Sequence, residues 1–181
     1  MGRLTENTIL VLKNKSHSVT AEVAVTDDSP EGVIIAQGGT FGGWSLYTQD
    51  GRPTYCYNLL GLQRFKIAAD REIPAGEHQV RMEFAYDGGG LAQGGTVSLY
   101  IDGTKTGAGR VDATQAMIFS MDETTEIVSD SGTSVSDDYR PEDSAFSGRI
   151  RWVQLDIAEA AEDFDHLITP EERLRIVMTR Q

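Results

Sequence analysis

Gly42-Gly-Trp-Ser-Leu-Tyr-Thr-Gln-Asp-Gly-Arg-Pro-Thr-Tyr-Cys-Tyr-Asn58 alternates in character on both sides of one dipeptide, Asp50-Gly51. In an extended chain, successive Cβ atoms point to opposite faces. Trp44, Leu46 and Thr48 then share one face, and Ser45, Tyr47 and Gln49 the other. Beyond the dipeptide, Tyr55 and Tyr57 share a face opposite Thr54, Cys56 and Asn58. Asp-Gly between two such runs is a strong hairpin signal, because a type I′ turn needs φ > 0 at both central residues. Pro53 offers no N–H to a ladder, so it predicts a strand end or an edge. The stretch therefore predicts two antiparallel strands.

Outward from the hairpin the same period of two recurs. On the N-terminal side, Leu4 to Leu12 leads in as an apolar strand, and Val19, Ala21, Val23 and Val25 alternate with Ser18, Thr20, Glu22 and Ala24. Asp27 to Gly32 is a turn cluster. Val33 to Ala36 is continuously apolar, as a strand covered on both faces is. Gly38 to Gly43 reads as a flexible connection. On the C-terminal side, Arg64 to Ala68 predicts a strand. Val80, Met82, Phe84 and Tyr86 then mark one strand, and Val97, Leu99 and Ile101 another, with a tight turn at Asp102-Gly103. Met117 to Ser120 is a short apolar run, and Thr124 to Ala145 reads as a long acidic loop. Ser147 to Ile157 is the last strand, with Val153, Leu155 and Ile157 on its inner face. About nine short strands without helical crossovers predict an all-β fold. The expected form is an antiparallel β-sandwich, jelly-roll or concanavalin-like, in the manner of laminin G domains. It spans residues 1–157. Residues 158–181 read as an acidic linker and a short helix, where Thr169, Pro170 and Glu172 form a capped start and Leu174, Val177 and Met178 one apolar face.

Totals narrow the function classes. The 181 residues carry 28 acidic and 16 basic side chains, a formal charge of −12. Such a chain opposes a phosphate backbone, so nucleic acid is not an expected partner. No apolar run approaches the roughly 20 residues that cross a membrane. Met1 to Leu10 has no signal-peptide core. One cysteine, Cys56, precludes an internal disulfide. It lies mid-strand between tyrosines, as a packed thiol does. His17, His78 and His166 have no metal-ligand spacing.

Two groups of residues are candidates for a site. Asp122, Glu123, Asp130 and Asp137 lie in the acidic stretch, whose oxygens suit calcium, although no EF-hand spacing is present. A solvated loop is the plainer account. Trp44, Tyr47, Tyr55 and Tyr57 are candidates to stack sugar rings, against the plainer account of core packing. Three catalytic or nucleotide-binding patterns fail. Asp122, Glu123 and Glu126 lack the alternate-position spacing of a glycosidase pair. Asp87 to Gly95 departs from the dinucleotide fingerprint at Gln93 and has no Lys-Ser or Lys-Thr. That loop reads as a mobile hairpin connection. Asn14-Lys-Ser16 matches a glycosylation sequon at the level of chance.

Specific wording adds a resemblance. Ser16-His-Ser-Val-Thr-Ala-Glu-Val23, Gly32-Val-Ile-Ile-Ala-Gln-Gly-Gly39, Gly42-Gly-Trp-Ser-Leu-Tyr47 and Tyr57-Asn-Leu-Leu-Gly61 resemble the C-terminal part of large bacterial arylsulfatases. So do Glu83-Phe-Ala-Tyr-Asp-Gly-Gly-Gly90, Phe119-Ser-Met-Asp-Glu-Thr124 and Val135-Ser-Asp-Asp-Tyr139. The resemblance runs from about Arg3 to Gln181. It implies an accessory domain that packs against a sulfatase catalytic domain of the same polypeptide. The parent would be a sulfuric ester hydrolase using formylglycine and a divalent metal. The formylglycine motif Cys-x-Pro/Ala-x-Arg is absent here, since Cys56 is followed by Tyr57-Asn-Leu-Leu60. No catalytic residue or cofactor of the parent transfers to this chain; the calcium candidates above rest on the acidic stretch alone. The implied location is soluble and bacterial, cytoplasmic or periplasmic. A homo-oligomer or a glycan is a further partner the reading allows, the glycan through a lectin-like role.

Overall fold

The protein, described here from a computed structural model over residues 4–5, 12–26, 29–116 and 124–157, is built of two antiparallel sheets. In chain order the strands are β1 (Leu4–Thr5), β2 (His17–Val25), β3 (Gly32–Gly39), β4 (Gly42–Gln49), β5 (Arg52–Leu59) and β6 (Gln63–Ala68). They continue as β7 (Gly76–Tyr86), β8 (Gly95–Ile101), β9 (Thr104–Val111), β10 (Thr124–Ile127) and β11 (Arg149–Ile157). One sheet has the order β1-β10-β3-β4-β5-β6, the other β11-β2-β7-β8-β9. The expected all-β sandwich is the fold observed.

The hairpin forms as its sequence dictates. Gln49 pairs with Arg52, and Asp50 and Gly51 have φ of 49° and 72°, the left-handed pair a type I′ turn requires. The pairs Trp44–Tyr57 and Leu46–Tyr55 then face inward. They meet Val19, Val23, Met82, Phe84 and Leu99 from the second sheet in one apolar core. The last strand behaves as expected: Val153 and Leu155 pair with Ala21 and Val19 and pack on that core.

Some expectations change. Pro53 is not on an edge, because β5 lies between β4 and β6. It is tolerated at the strand start, where β6 has run out: Ala68 pairs with Thr54, and only the Ala69 N–H reaches the Pro53 carbonyl, at 2.8 Å. Gly38 to Gly43 is no flexible connection; its glycines are paired ends of β3 and β4 around a tight turn at Thr40-Phe41. Strand β9 has no apolar alternation in sequence. Its Gly107 and Gly109 let the two sheets meet edge to edge, since a Cβ there would come within 2.8 Å of the Ala68 carbonyl and 2.5 Å of Ile67. The Asp87 to Gly95 connection is held rather than loose. The Tyr86 hydroxyl donates to the Gly90 carbonyl at 2.7 Å and accepts the Gln93 N–H at 2.9 Å, and Arg110 grips Asp87 with two bonds.

The acidic stretch is not simply a loop either. Its first residues form β10, beside β3, and the remainder, residues 128–148, is a strap returning along β3. The Val33 N–H donates to the Ser144 carbonyl at 2.8 Å and the Ser147 N–H to the Glu31 carbonyl at 2.8 Å. Within the strap Pro141–Asp143 makes one 3-10 turn. Met117 to Ser120 and the C-terminal linker and helix lie outside the described residues. No helix among the described residues is long and apolar enough to cross a membrane.

Candidate functional site

The strap creates a second, smaller core on the outer face of the six-stranded sheet. Val33, Ala36, Tyr47 and Cys56 from the strands meet Val135, with Tyr139 packed against them. The rings of Tyr47 and Tyr139 meet edge to face with centroids 5.2 Å apart, a favoured aromatic geometry. Several polar groups inside this layer are bonded to one another. The Asp130 carboxylate accepts the Tyr139 hydroxyl at 2.7 Å and the Val135 N–H at 3.0 Å. The Tyr47 hydroxyl donates to Asp138 and lies 3.2 Å from the Ser136 hydroxyl. Burial, and then the bond to Asp138, raises the Tyr47 phenol far above its ordinary range. Burial, and then the charge of Asp130, does the same at Tyr139. Lys66 reaches over the strap to Asp137 at 2.6 Å and Asp138 at 2.5 Å, and its bond holds the Asp137 carboxyl below the usual range.

Where the strap passes the end of the hairpin, a cleft of about 300 Å³ opens. Its floor is Gly32, Tyr47 and Thr48, and its rim Glu31, Gln49, Tyr139, Arg140 and Asp143, with Asp138 beside them. Glu31, Gln49, Arg140 and Asp143 are exposed. Glu31 uses one carboxylate oxygen to accept the Asp50 N–H at 2.6 Å. The side chains of Gln49, Arg140 and Asp143 have no hydrogen-bond partner among the described residues. An amide, a guanidinium and two carboxylates thus rim one cleft, on a floor fixed by the strands. Such planar groups offer paired donors and acceptors. That is a set suited to vicinal hydroxyls.

The residues singled out in the sequence lie elsewhere or play other parts. Trp44, Tyr47, Tyr55 and Tyr57 are buried, at 1%, 1%, 0% and 5% exposure. No ring of the four presents a face for sugar stacking, because the strap covers the outer side and the second sheet the inner. Of the acidic candidates, Asp122 and Glu123 lie outside the described residues. Asp130 is turned inward to Tyr139 and Val135, and Asp137 pairs with Lys66. Among the described residues no group of three or more His, Cys, Asp or Glu could hold a metal ion. Cys56 is a packed thiol, and burial pushes it up to about 11, where it is neutral at physiological pH and a poor nucleophile. Asn14 spends its side chain on the Ala116 carbonyl at 3.0 Å and the Ala92 N–H at 2.9 Å.

Sequence reasoning missed the cleft. Glu31 and Gln49 flank turns, and Arg140 and Asp143 sit in a segment of weak pattern. Only the strap's return brings the two pairs together, across 91 to 112 residues of chain.

A second surface feature lies at the opposite end of the sheet. The Thr40-Phe41 and Leu60-Gly61 turns are side by side: a Cβ at Gly61 would come 2.8 Å from the Thr40 carbonyl. Phe41, Leu60 and Leu62 are 70%, 52% and 86% exposed. Leu91, 66% exposed, caps the same end from the other sheet, because the His17 ring at the start of β2 lies 6.3 Å from Trp44 at the start of β4.

No protein-family model matches the sequence, and no curated protein matches it. Among solved structures the chain is similar to the CBM40 module of the Ruminococcus gnavus IT-sialidase, bound to α2,3-sialyllactose. The TM-score is 0.52 and identity 10%, over 90% of this chain and 82% of that one. It is similar to domain 4 of AbnA, an extracellular arabinanase from Geobacillus stearothermophilus, in complex with arabinotriose. Here the TM-score is 0.54 and identity 16%, over 90% and 66%. It is also similar to domains LG4-5 of the mouse laminin α1 chain, with a TM-score of 0.53 and 16% identity, over 86% and 38%. The chain thus spans about two thirds of the arabinanase domain's length and little over a third of the laminin chain's. These likenesses concern the fold.

Proposed function

We propose that this chain is a non-catalytic, lectin-like module that binds an oligosaccharide in the cleft between the hairpin end and the strap. The observation that carries the reading is the convergence of Gln49, Arg140 and Asp143, whose side chains have no hydrogen-bond partner among the described residues, with Glu31 around a preformed floor. A volume of about 300 Å³ is at the lower end of ligand pockets, which run from about 300 to 1,000 Å³. Two of the similar structures hold a bound oligosaccharide on the same fold; that supports the reading by analogy. The Arg140→Ala variant tests it. Its side chain is exposed, so melting should be unchanged, while affinity for whichever member of a glycan panel binds the parent chain falls at least tenfold. A panel in which no oligosaccharide shifts the resonances of the cleft residues would overturn the reading.

A second reading has its own observation. The apolar end formed by Phe41, Leu60, Leu62 and Leu91 is a surface of the kind that neighbouring domains cover. It favours the accessory-domain role that the arylsulfatase resemblance implies. An aryl sulfate assay tests the sulfatase parent: hydrolysis by the polypeptide of the complete reading frame, and none by these 181 residues, supports it. Activity in neither would remove the sulfatase parent.

A further inference from the structure

We infer that the cleft selects uncharged or amine-bearing sugars and excludes carboxylated and sulfated ones; this rests on the oligosaccharide reading above. Three carboxylates border it, Glu31, Asp138 and Asp143, against the single guanidinium of Arg140, an excess of two negative charges (3 − 1 = 2). The groups behind the rim do not reverse that sign. Asp130 and Asp137 add two carboxylates, and Lys66 and Arg64 add two cations, so the excess stays at two (5 − 3 = 2). Lys66 is also committed, to Asp137 and Asp138. Arg64 is committed by its Nε–H to the Val135 carbonyl at 3.0 Å.

Among the described residues that line the cleft, Arg140 is the one cation that would attract an acidic sugar. It shares its 3-10 turn with Asp143, whose N–H donates to the Arg140 carbonyl at 3.0 Å. Asp138 lies two residues away on the same rim. An incoming carboxylate or sulfate would therefore meet the guanidinium in a cleft that three carboxylates also line. Repulsion between charges within one cleft is little screened, because the Debye length at physiological salt is about 8 Å. The chain's formal charge of −12 adds to the same sign at longer range. A hydroxyl pays none of this repulsion, and an ammonium gains from it. Carboxylate oxygens accept from both, and Gln49 and Arg140 donate to the hydroxyl oxygens.

The experiment is a titration of the chain with matched oligosaccharides by calorimetry and NMR. The set comprises a neutral galactan oligomer, its sulfated form, a chitin oligomer and its de-N-acetylated form. The expected result is binding of the neutral or the de-N-acetylated oligomer at least tenfold tighter than of the sulfated one. That ratio should shrink at high salt. Asp143→Asn should narrow it further, because the charge is removed while the exposed side chain keeps its shape. Equal or tighter binding of the sulfated oligomer overturns the selectivity and leaves the oligosaccharide module standing. Binding of none of the four overturns both.

Discussion

The two faces of the hairpin β4–β5 are both buried, and by different means. The inner face is mainly apolar: Trp44, Leu46, Tyr55 and Tyr57 join an apolar core spanning both sheets. The outer face carries Tyr47 and Cys56 under a strap that brings its own hydroxyls and carboxylates. Inner burial draws on area removed from water, which is favourable wherever apolar groups gather. Outer burial draws on directional bonds, each of which must find its partner or cost free energy. The inner face should then tolerate the loss of a polar atom and resist a new charge. The outer face should do neither: it depends on polar atoms and already holds charge.

His17 makes the largest test of the inner half of that contrast. Its ring is 5% exposed, 5.3 Å from Phe84 and 6.3 Å from Trp44, and Nε2 has no hydrogen-bond partner among the described residues. Burial lowers its pKa from 6.5 to about 4, against a smaller raising effect of the Lys15 carbonyl. Between those values the unfolded chain binds the proton and the folded chain does not. Stability is therefore complete above about pH 6.5 and falls as the pH drops toward 4. The difference corresponds to about 3 kcal/mol at pH 4. Urea unfolding at pH 7 and pH 4 measures it. His17→Phe should lose about 3 kcal/mol less than the parent over that interval, whatever the carboxylates contribute to both. Equal losses would mean the inner face accepts the charge.

The same contrast explains what the sequence could and could not convey. The inner face is written in a period of two, so Val19 to Val25, Trp44 to Thr48, Val80 to Tyr86 and Val97 to Ile101 were legible strand by strand. Asp50-Gly51 was legible because its backbone demands few residue types. Strand β9 was not, since glycines at 107 and 109 serve a close approach to β6 that only the closed sandwich creates. The aromatic residues were visible as aromatic, and their burial on both sides was not, because the cover over Tyr47 comes from Ser136 and Asp138, 89 and 91 residues away. The cleft shares that origin. Its four rim side chains, Glu31, Gln49, Arg140 and Asp143, carry no local signature, and long-range return of the chain is what assembles them.

Asp130 tests the outer half, with a smaller effect. It is 3% exposed and accepts from the Tyr139 hydroxyl and the Val135 N–H. Asp130→Ala leaves two donors inside without that acceptor, at a cost of about 2 kcal/mol. Because Val135 and Tyr139 pack in a cluster separate from the inner core, the loss should be local. Amide exchange should accelerate in residues 128–146 and much less in β2, β7 and β8. Uniform acceleration through both sheets would show one cooperative core where two are drawn here.

Paired tyrosine substitutions give the finest discrimination, because one chemical change is predicted to have opposite signs on the two faces. Tyr55 is fully buried on the inner face, and its hydroxyl has no hydrogen-bond partner among the described residues. Burial raises its phenol well above the ordinary range, with the nearby Tyr57 and Cys56 adding to the shift, as a hydroxyl in an apolar setting should behave. Tyr55→Phe removes a group that lost its water and gained nothing, so stability should be unchanged or higher by up to about 1 kcal/mol. Tyr139→Phe removes a hydroxyl bonded to Asp130 at 2.7 Å, and should cost about 1 kcal/mol, or somewhat more because the acceptor is charged. Both retain the ring, so packing is held constant and denaturant midpoints report the hydroxyls alone. Equal costs at the two sites would erase the distinction between a face held by area and a face held by bonds. A gain at Tyr55 beside a loss at Tyr139 would place the boundary between them at the sheet itself.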